Sequence, residues 1–162
     1  MSKEIRILLV DDHQVVRDGL RSMLAEEPDM EVVGDSSDSE DVLAKIAECS
    51  PNVILMDIKM PRVDGIQLAY MVKQKYPDCN IVMLTLYSEY LPQAMGAGAK
   101  GYLLKDIRRE ELIQAIRQVY RGEVVISKNI APRPQIEYKQ TIIENEEGLL
   151  RQTDSPDTLI EE

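Results

Sequence analysis

Ile5-Arg6-Ile7-Leu8-Leu9-Val10-Asp11-Asp12 is an apolar run, broken by one charge, that stops abruptly on two carboxylates. Such a run suits a strand buried on both faces of a parallel sheet. Immediately afterwards Val16, Leu20 and Leu24 recur every fourth residue, so the spacing predicts a helix ending before Pro28. The alternation then repeats. Met30 to Val33 reads as a short strand, and Val42, Leu43, Ile46 and Ala47 as one face of a helix broken by Pro51. Val53 to Met56 is a second uninterrupted apolar strand, followed by a helical stripe of Ile66, Ala69, Tyr70 and Lys73 that Pro77 stops. Ile81 to Leu84 and Tyr102 to Leu104 complete the strands. Between them a weak helix lies between Ser88 and Ala97, compromised by Pro92 and Gly96. Leu112, Ile113, Ile116, Val119 and Tyr120 form the apolar face of a last helix, closed by Gly122.

Five buried strands alternating with five helices imply an α/β fold, an open doubly wound parallel sheet with helices on both faces. Right-handed crossovers leave few topologies, and the flavodoxin-like order 2-1-3-4-5 is the commonest at this size. Ligands of such sheets bind outside the carboxyl ends of the strands. At those ends stand Asp11 and Asp12, Asp57, Thr85 and Lys105. A strand-end aspartate often serves only as a helix N-cap, and Asp11 or Asp12 could cap the first helix. That explains one such residue comfortably and five poorly. Three clustered carboxylates repel one another and require a cation. Hard oxygen ligands at an exposed rim suit Mg²⁺.

The 162 residues carry 29 acids against 19 bases, a net charge of −10 that works against nonspecific nucleic-acid binding. No apolar run approaches the ~20 residues of a membrane span. The first residues, Met1-Ser2-Lys3-Glu4-Ile5, lack the apolar core of a signal peptide, so a cytoplasmic protein without a membrane segment is expected. Cys49 and Cys79 cannot build a disulfide framework, and with His13 the one histidine a zinc site is not expected. Apolar residues are unevenly spread: 61 of the 71 lie in 1–126, which reads as the folded domain. Residues 127–162 hold Pro132, Pro134 and Pro156, with 8 acids against 4 bases, and read as an acidic tail or linker, disordered in isolation. Ile136, Ile142, Ile143, Leu149 and Leu150 leave room for a short amphipathic helix formed on a partner.

Taken in order, Leu8-Leu9-Val10-Asp11-Asp12, Asp57-Ile58-Lys59-Met60-Pro61-Arg62-Val63-Asp64-Gly65, Leu84-Thr85 and Gly101-Tyr102-Leu103-Leu104-Lys105 carry a resemblance. Over residues 4–126 the chain resembles the receiver (CheY-like) domain of two-component response regulators. Val32-Val33-Gly34 and the stretch from Gly101 to Asp106 resemble the NarL/LuxR-type subgroup, here without its helix-turn-helix output domain. The resemblance implies that Asp57 takes a phosphoryl group from a phosphohistidine of a sensor histidine kinase. It implies Asp12 and Asp57 as direct Mg²⁺ ligands, Asp11 as a ligand through water, and the main-chain carbonyl of Lys59 as a further one. Lys105 would sit on a phosphoryl oxygen and Thr85 would donate its hydroxyl to another. Pro61 and Gly65 would shape the loop after the third strand, the glycine for close backbone approach. Tyr102 would turn inward as Thr85 moves, remodelling the face of the fourth helix, fifth strand and fifth helix; alternatively it is an edge-strand aromatic at the surface. A kinase, and a second copy docked through a helical face, are the implied partners, with transcription regulation as the output. Self-catalysed transfer onto its own Asp57 would not make the chain a conventional turnover enzyme.

Several residues depart from the family pattern. Leu86 follows the switch threonine where a small residue is usual, which narrows donor access. Asp106 replaces the proline of many receivers and is expected to cap the last helix. His13 is expected to face solvent. Residues 127–162 are too short and too acidic for a helix-turn-helix domain, so the chain is not expected to bind DNA by itself. A stand-alone or phosphorylation-independent receiver, acting as a protein–protein interaction module, is the alternative. A flavodoxin-like cofactor binder is disfavoured because Asp11-Asp12-His13 is anionic, and an aspartate-based phosphatase because position 59 is lysine.

Overall fold

The computed structural model describes residues 4–128 and 130. Strands β1 (Ile5–Val10), β2 (Met30–Ser36), β3 (Val53–Met56), β4 (Asn80–Thr85), β5 (Gly101–Leu104) and β6 (Val125–Ile126) form one sheet in the order β2-β1-β3-β4-β5-β6. Every neighbouring pair is parallel. The expected order 2-1-3-4-5 is therefore present, with one strand added outside β5. Two residues are too short a run for periodicity to distinguish from the end of a helix. The helices are α1 (Gln14–Leu24), α2 (Val42–Cys49), α3 (Gly65–Lys75), α4 (Leu91–Gly96) and α5 (Arg109–Tyr120), with a 3₁₀ turn at Ser39–Asp41.

Because successive strand side chains point to opposite faces, each continuous apolar strand feeds two cores. On one face Leu8, Val10, Ile54, Met56, Ile81 and Met83 meet α2, α3 and α4. On the other, Ile7, Leu9, Val53, Leu55 and Val82 meet Leu20 and Leu24 of α1 and Leu112, Ile116 and Val119 of α5. Ser127 N–H donates to the Tyr102 carbonyl at 2.9 Å, and Ile130 is buried in the first of these cores. The segment read as an amphipathic stretch, with the rest of 131–162, lies outside the described residues.

Two local expectations need correction. The stripe of α3 is only partly the expected one: Ala69 is buried and Ile66 packs on the core, but Leu68 and Val72 are buried with them, whereas Tyr70 is 57% exposed. This helix is apolar on two sides, and spacing alone cannot choose between them. The choice is made at its first turn, where Gly65 N–H donates to the Ile58 carbonyl at 2.7 Å and fixes the helix's rotation. Tyr70 and Met71 consequently face outward and, with the half-buried Ile66 and with Val63, Gln67 and Ala97, line a cavity of about 410 Å³. Helix α4 falls within its expected bounds and begins at Leu91, since Pro92 has no N–H to offer an interior turn and fits the first one. Asp106 does not cap α5. A turn closed by Ile107 N–H on the Leu104 carbonyl delays the helix, whose N-cap is Arg108 with Glu111 accepting from its N–H. The last helix closes as expected at Gly122, whose φ of 92° favours glycine.

Arg117 of α5 ties this helix to the connection between α1 and β2. Its guanidinium lies 2.6 Å from Glu27 and 2.9 Å from Asp29, and Arg109 reaches Glu27 at 2.7 Å. Hydrogen bonds from Arg117 hold both carboxyls below their ordinary values, against the opposing effect of burial. A carboxyl depressed in the fold contributes stability above its unfolded pKa and loses it as pH falls through the folded one. Arg117→Met is accordingly expected to lower the melting temperature at neutral pH and to change it little in strong acid. Equal losses at both pH values would assign the effect to packing of the arginine stem instead.

Candidate functional site

Parallel strands deliver their carboxyl ends to one edge, so residues far apart in sequence meet there. Asp11 and Asp12 follow β1, Asp57 follows β3, Thr85 ends β4 and Lys105 follows β5. Asp11 and Asp57 are buried, at 3% and 4% exposure. Lys105 Nζ lies 2.8 Å from Asp11 Oδ2 and 3.3 Å from Asp57 Oδ2. One ammonium thus bridges two buried carboxylates. The other Asp57 oxygen accepts from Ile58 N–H at 2.8 Å. Burial pushes the Asp57 carboxyl above its ordinary range; Asp11 adds to this, and Lys105 draws it back without cancelling it. For Lys105 burial works against the charged form, but Asp11 and Asp57 outweigh it and raise its pKa. The cluster is short of positive charge.

Neither aspartate of the first pair caps α1. Its N-cap is His13, whose side chain makes no cap bond, while Asp11 Oδ1 accepts from the His13 N–H at 2.9 Å. The His13 side chain is 65% exposed, as expected, yet its Nδ1 stands 3.1 Å from Asp12 Oδ1 and 3.3 Å from Asp11 Oδ1. Asp11, Asp12, His13 and Asp57 each place one ligand-type atom within 4.8 Å of the others. The nearby imidazole forms no hydrogen bond with Asp12 Oδ1, which is buried without a partner. An orphaned carboxylate oxygen beside two buried carboxylates suits a hard divalent cation, so these residues fit Mg²⁺.

Lys59 stands apart from this group. Its ammonium lies 4.8 Å from the Tyr90 ring centroid and 5.7 Å from that of Tyr87, and those two rings pack edge to face at 6.0 Å. Its interaction with Tyr90 raises the lysine's pKa against the effect of burial. Thr85 is fully buried, and its Oγ1 accepts from Tyr87 N–H at 3.3 Å. Tyr102 is likewise fully buried and donates its hydroxyl to the Tyr87 carbonyl, so it is not a surface aromatic. Leu86 turns to solvent, 70% exposed. Gly65 packs so tightly on the end of β3 that a Cβ there would lie 2.0 Å from the Asp57 carbonyl oxygen. Sequence reasoning missed Tyr90 and discounted His13. For Tyr90 no linear signal exists, because its partner, Lys59, comes from another loop.

The family model for the response regulator receiver domain matches residues 7–117. The chain is 45% identical over 130 residues to the transcriptional regulatory protein YhcZ of Bacillus subtilis, covering 79% of this chain and 60% of that one. It is 36% identical over 146 residues to the transcriptional regulatory protein DegU of Brevibacillus brevis, covering 89% and 62%. The chain therefore spans about 60% of the length of these relatives. Among solved structures, a LuxR-family two-component response regulator from Aurantimonas sp. SI85-9A1 superposes with a TM-score of 0.75 at 31% identity. That match covers 88% of this chain and all of the other.

Proposed function

The chain belongs to the response regulator receiver domain family, and from that premise we propose that it is the phosphoacceptor of a two-component system, with Asp57 as the acceptor. The observation that carries this reading is the bridge of Lys105 across Asp11 and Asp57, beside a buried Asp12 oxygen that forms no hydrogen bond. In the proposed reaction an Asp57 carboxylate oxygen attacks phosphorus in the phosphohistidine of a sensor histidine kinase. The new O–P bond forms as the P–N bond breaks, and the imidazole leaves with the electron pair and takes up a proton. Transfer of this kind has a loose transition state, so the protein's work is positioning and charge neutralisation.

Asp12 and Asp57 would hold Mg²⁺ directly, Asp11 through water, and the Lys59 carbonyl would complete the protein ligands. When bound, the ion supplies neutralisation that lets an anionic donor approach three carboxylates. Lys105 exchanges a carboxylate oxygen for a phosphoryl oxygen, which its flexible stem permits. Thr85 releases the Tyr87 N–H and donates its hydroxyl to the phosphoryl group. Tyr102, bonded to the same residue through the Tyr87 carbonyl, carries that movement to the face of α4, β5 and α5. The folded unit is assigned to residues 1–126 and the acidic tail or linker to 127–162. The proposed setting is the cytoplasm, with transcription regulation as the output and a homodimer formed through a helical face.

Intact mass after treatment with a small phosphodonor tests the assignment. A single phosphoryl adduct that requires Mg²⁺ is expected; no adduct, or one on another residue, overturns it. Lys105→Ala is expected to bind Mg²⁺ more tightly than the parent while losing stabilisation of the phosphoryl group. Its ammonium competes with the metal for the same carboxylates, so removing it relieves that competition. A Mg²⁺ titration showing clearly weaker binding in the variant would contradict the geometry. DNA binding by this chain at physiological salt is expected to be undetectable, because a net charge of −10 offers phosphates no counterion-release gain. A sequence-specific gel shift with the purified chain would show otherwise.

A further inference from the structure

Arg17 has no role in the phosphoacceptor chemistry, yet its side chain is only 11% exposed. It lies in the first turn of α1, with its N–H on the His13 carbonyl at 3.2 Å. From there the guanidinium turns back to the end of β1. Nη1 donates to the main-chain oxygen of Asp11 at 2.6 Å, and Nε donates to Asp35 Oδ2 at 3.0 Å. Asp35 lies on β2, in register with Leu9, and its other oxygen is 3.4 Å from Arg21 Nη2. A single planar fork therefore ties a helix, a strand end and a neighbouring strand together.

The carbonyl that Arg17 grips belongs to the peptide joining Asp11 to Asp12. The orientation of that peptide sets the direction in which Asp12 leaves the strand. Two other bonds brace the turn: Asp11 N–H on the Ser36 carbonyl at 3.1 Å, and His13 N–H on Asp11 Oδ1 at 2.9 Å. Asp12 Oδ1 is buried without a hydrogen bond, and the side chain beside it, His13 with Nδ1 at 3.1 Å, is itself largely exposed. With no side-chain hydrogen bond to hold that oxygen, the direction of the carboxylate depends on the backbone that carries it. We propose that Arg17 is a positioning residue for the acidic pair, holding the Asp11–Asp12 peptide so that the Asp12 carboxylate stays within reach of Asp57, with Asp35 anchoring the arginine.

This inference rests on reading the acidic cluster as a divalent-cation site. Its test is calorimetric Mg²⁺ titration of the full chain in the parent, Arg17→Gln, Arg17→Lys and Asp35→Asn forms, each paired with a metal-free melting curve. Positioning predicts that both Arg17 variants lose about tenfold or more in Mg²⁺ affinity, the usual effect of removing a group that orients a ligand. Asp35→Asn should lose part of that. A through-space effect of the arginine charge predicts the reverse: tighter binding in Arg17→Gln and no change in Arg17→Lys. Unchanged or tighter binding by folded Arg17→Lys overturns the proposal. If neither Arg17 variant folds, parent-like Mg²⁺ affinity in Asp35→Asn overturns it instead. A metal-free readout separates this failure from failure of the cation site. In Arg17→Lys the amide resonances of Asp12 and His13 should move beyond those of the rest of α1, whether or not the parent binds Mg²⁺. Parent-like positions for both amides would remove the basis of the inference.

Discussion

Asp57→Asn is expected to abolish phosphoryl acceptance entirely, and excess chelator is expected to do the same to the unaltered chain. The amide has no anionic oxygen to attack phosphorus, and no other carboxylate occupies its place at the end of β3. The same substitution should make the fold more stable in metal-free buffer at neutral pH. Burial raises the Asp57 carboxyl above its ordinary value. A raised carboxyl favours folding while protonated and loses that contribution as pH rises through its folded pKa, so the ionised group burdens the fold at neutrality. Asparagine removes the burden, and Lys105 keeps Asp11 at 2.8 Å. The gain should shrink on acidification. Intact mass and melting curves over pH check both halves; an adduct on the variant would sink the acceptor assignment.

Gly65→Ala is expected to cost roughly 3 kcal/mol of stability, the upper end for overpacking a close contact, and to impair acceptance with it. The added Cβ would lie 2.0 Å from the Asp57 carbonyl oxygen and 2.9 Å from both the Asp57 carbonyl carbon and Ile58 Cα. All of these are backbone atoms, so no side chain can swing aside. Relief requires moving the peptide that carries Asp57, the proposed acceptor, or the first turn of α3. Gly19→Ala is the matched control. It lies in the exposed middle of α1 with nothing within 4 Å of its would-be Cβ, and there alanine should stabilise by about 0.5–1 kcal/mol. Denaturant melts decide the pair: similar values for the two variants would show that the contact at Gly65 is softer than its distances imply.

The residues at the strand ends were legible because the chemistry of the site depends on residue type. Asp11, Asp12, Asp57, Thr85 and Lys105 each close an apolar run, and parallel strands have only one edge at which to bring such ends together. His13, Arg17 and Tyr90 were not legible in the same way. Each acts through a partner that the linear pattern does not reveal: the imidazole beside two carboxylates, the guanidinium on a main-chain oxygen, the phenol under Lys59. A side chain's type limits what it can bind, whereas its rotamer and neighbours determine what it does bind.

The sequence, order and burial of the first five strands of this protein follow from its amino acids alone, because doubly buried parallel strands must be continuously apolar and right-handed crossovers leave few ways to connect them. Tertiary structure decided the rest. It chose which of two apolar sides of α3 meets the sheet, through the contact of Gly65 with the end of β3. It placed β6 beside β5, a pairing too short to leave a periodic trace. It turned the Tyr102 ring inward under the loop that follows β4. In each of these cases residues that the linear pattern does not pair come together in the fold, whereas the start of α5 is moved past Asp106 by a local turn, Ile107 N–H on the Leu104 carbonyl.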